Sequence, residues 1–123
     1  MRESLLAQNI QKLPGVFWVR IENKLAGGLP DAIGTFYGHT FFAEFKSLDR
    51  YSEKLGATKE QLLWHRRWNR HGGVALFMMK AREEFLCVRH SDGGNSILAC
   101  GKALKPVFGK QSLLRMLYLA SLR

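Results

Sequence analysis

The chain has 123 residues, which is room for one domain of ordinary size and leaves none for a second. With 46% hydrophobic and 11% aromatic residues it carries enough apolar material for a core, which excludes a disordered tail or linker. Lys and Arg number 19 against 10 Asp and Glu, a formal net charge of +9, and such a surface attracts polyanions, nucleic acid among them; a merely basic soluble protein is the plain alternative.

Cys87 and Cys100 stand in no C-x-x-C spacing, and His39, His65, His71 and His90 form no paired pattern, so no zinc signature is present and reduced, buried thiols are expected. Met1-Arg2-Glu3-Ser4 leads into an interrupted apolar pattern rather than a signal-peptide core, and the C-terminal apolar run is shorter than the ~20 residues of a membrane span. A soluble cytoplasmic chain is the expectation. The compact format is one associated with phage enzymes acting in a host cell.

From Ser4 to Leu13, Leu6, Ala7, Ile10 and Leu13 fall at helical spacing until Pro14-Gly15 stops the pattern. Val16 to Glu22 alternates, with Phe17, Val19 and Ile21 on one side and Trp18, Arg20 and Glu22 on the other, the period of a half-buried strand. Gly27-Gly28-Leu29-Pro30 breaks it. Asp31–Tyr37 and Thr40–Lys46 are expected to be antiparallel strands joined at Gly38-His39. Ser47 to Ala57 is a long polar loop, either functional or mobile. A helix is expected from Lys59 to about His71, opened by Thr58 and closed by Gly72-Gly73, with Trp64 and Trp68 on its core side.

Val74–Met79 is continuously apolar, as a strand buried on both faces should be. The path into it from Thr40–Lys46 is long enough for a parallel crossover, which predicts a mixed sheet. Phe85–Val88 is a candidate further strand, and Ser91-Asp92-Gly93-Gly94-Asn95 a turn cluster. Past Pro106, Ser112–Leu122 is expected to be a helix apolar around most of its circumference, a shape that suits a homodimer contact. Residues 1–123 thus form one domain, with 106–123 a C-terminal helical segment.

Strand alternation puts Phe42, Glu44 and Lys46 on one face and Phe41, Ala43 and Phe45 on the other. With Gly38-His39 as a two-residue turn, Tyr37 pairs with Thr40, Ile33 with Glu44 and Asp31 with Lys46. Asp31 and Glu44 then become diagonal neighbours ~7–8 Å apart, close enough for two carboxylates to share a hard cation. A slip of one residue in that pairing would separate them. The plain alternative is a solvated strand face with an ordinary cross-strand ion pair.

Gly28-Leu29-Pro30-Asp31, followed after twelve residues by Glu44-Phe45-Lys46, resembles the PD-(D/E)xK nuclease superfamily, and Thr58-Lys59-Glu60-Gln61 with Trp64 is similar to its VRR-NUC and Holliday-junction-resolvase branches. The resemblance spans roughly Glu3 to Met79; the last third of the chain matches nothing. It implies a restriction-endonuclease-like α/β core, a small mixed sheet flanked by helices in α-β-β-β-α-β order. It further implies that Asp31, Glu44 and the Phe45 backbone carbonyl bind Mg²⁺, with Mn²⁺ as a substitute. Lys46 would orient the attacking water or stabilise phosphate charge, and Glu3 and Gln61 would supplement the site.

Both supplements have plain alternatives. Glu3 shares the helical stripe of Leu6, Ala7 and Ile10, yet an acid in a first turn is favoured by the helix dipole. Gln61 stands at capping-box spacing from Thr58. Arg50 and Lys54 in the loop, and Lys59, Arg66, Arg67 and Arg70 on the helix, are candidate phosphate contacts, with Arg20 and Lys24 as extensions. The expectation is therefore a Mg²⁺-dependent endonuclease acting on DNA, selective for branched or junction structures and working as a homodimer. The competing expectation is a non-catalytic basic module that binds nucleic acid.

Overall fold

A computed structural model describes residues 3–22, 27–102 and 110–121. In chain order the elements are α1 (Glu3–Gln11), β1 (Phe17–Arg20), β2 (Ala32–Phe36), β3 (His39–Leu48), α2 (Lys59–Arg70), β4 (Ala75–Ala81), β5 (Glu84–Ser91), β6 (Gly94–Gly101) and α3 (Lys110–Ser121). The six strands form one sheet in sequence order. Among the described strands only β3 and β4 run parallel; the other neighbours are antiparallel. A parallel return requires a crossover, and α2 provides it. The expected mixed α/β sheet is therefore present. Beyond β4, in the part of the chain the resemblance leaves unmatched, β5 and β6 extend the sheet as a hairpin closed at Asp92-Gly93.

Two apolar layers sandwich the sheet. On one face Leu6 and Ile10 of α1 and Leu113, Met116 and Leu117 of α3 pack with Phe41, Phe45, Leu76 and Met78. On the other, Leu62 of α2 and Leu55 of the preceding loop meet Phe77, Met79, Leu86 and Val88. Because β4 lies between both layers, all of Ala75–Met79 is buried, which is why that run shows no alternation. The buried side of α3 thus packs inside its own chain, while Tyr118 on its outer side is 63% exposed. Residues 106–109 and 122–123 of the expected C-terminal segment lie outside the described residues, as does Lys24.

β1 alternates as its sequence does, and packing decides which side faces inward. Trp18 turns inward, edge-on to Phe41 at 5.4 Å and against Phe45 at 6.0 Å, while Phe17 and Val19 are 68% and 47% exposed. The cause sits on β2: Trp18 pairs with Gly34, where a Cβ would meet the Phe41 and Trp18 rings at about 3 Å. A side chain there would evict the indole, the largest apolar surface on β1.

The loop after β3 is anchored to the body of the domain. Leu55 is fully buried, and Asn95 on β6 donates to the Glu53 carbonyl at 2.7 Å and to Tyr51 Oη at 3.3 Å. Cys87 is buried, which pushes its thiol pKa up. Cys100, on the edge strand β6, is exposed, against the expectation of two buried thiols. Among the described residues no helix is long and apolar enough to cross a membrane.

Candidate active site

The hairpin that carries Glu44 and Lys46 turns one residue earlier than expected. Phe36 pairs with His39, so the two-residue turn is Tyr37-Gly38, with φ of +48° and +83°. Two successive positive φ values match the twist of a tight hairpin, and Gly38 takes the second without penalty. Moving a two-residue turn by one position changes each cross-strand partner by two, so faces are conserved. Ile33 pairs with Phe42 and Ala32 with Ala43, and the same count puts Asp31 level with Glu44 instead of Lys46.

At Asp31 the β2–β3 ladder comes apart in a defined way. The Asp31 N–H still donates to the Ala43 carbonyl at 3.0 Å, and the Asp31 carbonyl accepts from Ile21 N at 2.8 Å on the β1 side. Pro30, preceding it, has no N–H and starts no further rung. The next ladder position is filled by a side chain: Asp31 Oδ2 accepts from the Phe45 N–H at 2.9 Å. In an extended strand the N–H and C=O of one residue point to the same side, so the Phe45 carbonyl faces the space that β2 has left. A carboxylate and a backbone carbonyl thereby come to one sheet edge.

Glu44 and Lys46 lie on the α2 face, 3% and 8% exposed, level with Phe77 and Met79 of β4. They do not form a solvated strand face. Above them sits His65 of α2, fully buried and stacked on Phe77 at 4.0 Å. Burial is the main reason its pKa falls from 6.5 to about 3. His90 pushes the same way, the Ala75 backbone and Asp31 oppose, and Lys46 adds to the lowering. Neither ring nitrogen makes a well-formed hydrogen bond. His65 therefore stays neutral and feels both Asp31 and Lys46, so the inner face of α2 roofs the hairpin end. Nothing in the one-dimensional pattern distinguishes His65 from its surface neighbours.

Glu3 is exposed at the start of α1 and shares with Asp31, Phe45, Arg20, Ser4 and Gln11 a cleft of about 150 Å³. Arg20 is the cation that sequence reasoning placed only loosely. Its pairing with Ala32 brings it beside Asp31, and this register was the missing signal. The Gly27–Pro30 loop is held to α2: Gly28, at φ +88°, lies so close that a Cβ would stand 2.3 Å from the Glu60 carbonyl oxygen. The first turn of α2 and the chain leading into Asp31 are thus fixed to one another.

The remaining candidates separate by their partners. Gln61 completes a capping box, its Oε1 accepting from Thr58 N at 2.9 Å and its N–H donating to Thr58 Oγ1 at 3.1 Å. That carbonyl is committed to the helix start. Arg66 donates to His90 Nε2 at 3.1 Å, and Arg70 binds Asp92 through two bonds of 2.7 and 2.8 Å. Arg50, Lys54, Lys59 and Arg67 are exposed. Trp64 and Trp68 are not in the core: Trp68 is 41% exposed, and both line a groove beside Gly27.

Among the described residues no group of three or more His, Cys, Asp or Glu is arranged to hold a metal ion. By register Asp31 is level with Glu44, so the residue types available at the hairpin end are two carboxylates and the Phe45 backbone carbonyl. That set fits Mg²⁺, which usually takes one or two carboxylates and keeps several waters.

No protein-family model matches the sequence, and no curated protein matches it. Solved structures share the fold. A VRR_NUC domain superposes with a TM-score of 0.51 at 19% identity, over 65% of this chain and 85% of the other. The Holliday junction resolvase Hjc of the archaeal hyperthermophile Archaeoglobus fulgidus superposes with a TM-score of 0.53 at 14% identity, over 92% of this chain and 96% of the resolvase. The branch suggested by Pro30-Asp31 and Glu44-Phe45-Lys46 is matched at the level of fold.

Proposed function

We propose that this chain is a divalent-metal-dependent nuclease that hydrolyses DNA phosphodiester bonds, with Asp31, Glu44 and the Phe45 carbonyl as metal ligands. The observation that carries it is the hydrogen bond from Phe45 N–H to Asp31 Oδ2, which brings the aspartate to the strand that bears Glu44 and Lys46. A bound Mg²⁺ would lower the pKa of a coordinated water and neutralise phosphate charge. Asp31 is oriented for this by the Phe45 amide. Glu44, nine-tenths or more buried, is favoured as an anion only with a cation beside it. Lys46 on the same face supplies an ammonium donor to the attacking water or to the developing phosphate charge. Glu3 extends the acidic set into the cleft it shares with Asp31.

The net charge of +9 and the exposed Arg50, Lys54, Lys59 and Arg67 support a polyanionic substrate. The likeness to a Holliday junction resolvase supports a choice of branched over linear DNA. We extend the reading to a homodimer, for which exposed Phe17 and Val19 on the edge strand β1 and Tyr118 on α3 offer apolar surface. Sedimentation at micromolar concentration should then give twice the chain mass.

The non-catalytic module is favoured by one fact, the lack of a three-carboxylate group among the described residues. Linear, flapped and four-way DNA incubated with Mg²⁺ or Mn²⁺ separates the two. Cleavage that disappears in Asp31→Ala and Glu44→Ala supports the nuclease, and a rate loss of 10²-fold or more is expected from removal of a metal ligand. Binding without cleavage under either metal establishes the module. Cleavage equal in wild type and Asp31→Ala refutes the site. Independently of activity, Mn²⁺ should raise the thermal midpoint of wild type and leave Asp31→Ala unshifted.

A further inference from the structure

The Trp64 and Trp68 rings stack almost parallel, 10° apart with centroids 5.1 Å from each other. Phe42 meets both edge-on, at 5.1 and 4.8 Å. Gly73 completes the support, because a Cβ there would lie 2.1 Å from Trp68 Nε1; only a glycine lets the indole settle against the chain. Two large aromatic groups are thus held rigidly where water reaches them, and Leu63 beside them is 44% exposed. In a basic chain with two apolar layers already filled, surface tryptophans braced in this way are not core material that failed to bury.

They open onto a groove of about 510 Å³, lined by Leu63, Trp64, Trp68, Arg67, His71 and the Gly27 and Glu60 rim. That volume is in the range of small-ligand sites. Aromatic faces next to a guanidinium are what an unpaired nucleotide requires: the base stacks on the ring and the phosphate meets the cation. An apolar peptide would leave the Arg67 guanidinium without an anion, and with a net charge of +9 on the chain, charge complementarity selects the nucleic acid.

Resting on the nuclease proposal above, we infer that the Trp64–Trp68 groove binds an unpaired base of a single-stranded segment next to the scissile bond. Phe42, which braces the two rings, stands on the same strand face as Glu44 and two residues before it, or ~7 Å by the rise of a strand. That separation is about two stacked nucleotides at ~3.4 Å each. Gly27 on the groove rim is four residues from Asp31. A flap or an opened junction arm would lay its free base in the groove while the adjoining backbone reached the hairpin end, so the groove would select substrates with unpaired bases.

The test uses the wild-type chain in EDTA, where no cleavage occurs, with fluorescence anisotropy of two labelled oligomers of equal length, oligothymidylate and its abasic counterpart. The oligothymidylate should bind roughly 5- to 150-fold more tightly, the fold-change equivalent of ~1–3 kcal/mol for a stacked base. Trp68→Ala should erase this preference and Trp68→Phe keep most of it, both with unchanged circular dichroism. Equal affinity of the wild type for the two oligomers overturns the inference, as does saturation of the groove by an apolar peptide with no preference between them. A base preference without cleavage of any substrate in Mg²⁺ or Mn²⁺ refutes the nuclease and leaves the stacking site standing; cleavage without a base preference does the reverse.

Discussion

Replacing His65 by phenylalanine should make the protein markedly more resistant to acid. The native ring is fully buried, stacked on Phe77 and neutral, with a pKa lowered to about 3. In the unfolded chain the same imidazole takes a proton near 6.5. Between these two values the unfolded state binds more protons than the folded one, so stability falls as the pH falls. At pH 4.5 the gap below the ordinary value is two units at ~1.4 kcal/mol each, or about 3 kcal/mol lost to this residue alone. Phenylalanine keeps the stack and carries no proton.

Urea unfolding of both proteins at pH 7 and pH 4.5 isolates the effect, since every other titrating group is common to the two. His65→Phe should lose less stability than wild type on acidification by about 3 kcal/mol, a difference of roughly 1–3 M in midpoint for m near 1–3 kcal/mol/M. It should also be no less stable at pH 7, because two buried ring nitrogens without well-formed bonds are removed. Identical pH slopes for the two proteins would refute the account of His65 as a buried neutral ring.

Gly28→Ala should destabilise the fold by about 2–4 kcal/mol in thermal unfolding, since it combines φ +88° with a Cβ 2.3 Å from the Glu60 carbonyl oxygen. Because that loop delivers Asp31, DNA cleavage should drop with it, and a variant of unchanged midpoint would contradict the contact. Asn69→Ala should cost about 3 kcal/mol or more in chemical denaturation. It is 2% exposed and joins α2 to two strands through Ala75 N at 2.8 Å, Ala75 O at 3.2 Å and His90 O at 2.8 Å. A loss below 1 kcal/mol would mean that these bonds are replaced on folding.

Several features follow from the order of residues along the chain. The shared face of Glu44 and Lys46 is a consequence of strand alternation, and the Thr58–Gln61 capping box of local spacing. The mixed sheet follows from one strand that returns after a helix. These depend on neighbours within a few residues, or on the length of a connection, and no distant contact overrides them. Even the misplaced turn left the faces intact, because a two-residue loop moved by one position preserves parity.

Tertiary packing decided the rest. Alternation in β1 is equally regular whichever side faces inward; Gly34 on the next strand made room for Trp18 and sent Phe17 and Val19 outward. The helical period of α2 could not tell that His65 would be entombed while Trp64 and Trp68 opened onto a groove. The apolar girth of α3, read alone, could not tell which of its residues the sheet would bury; Leu113, Met116 and Leu117 pack there, and Tyr118 faces outward. For Asp31, Glu44 and Lys46 the division is the same: a period along the chain names which side chains travel together, but burial belongs to whatever packs across from them, and only the folded sheet supplies that.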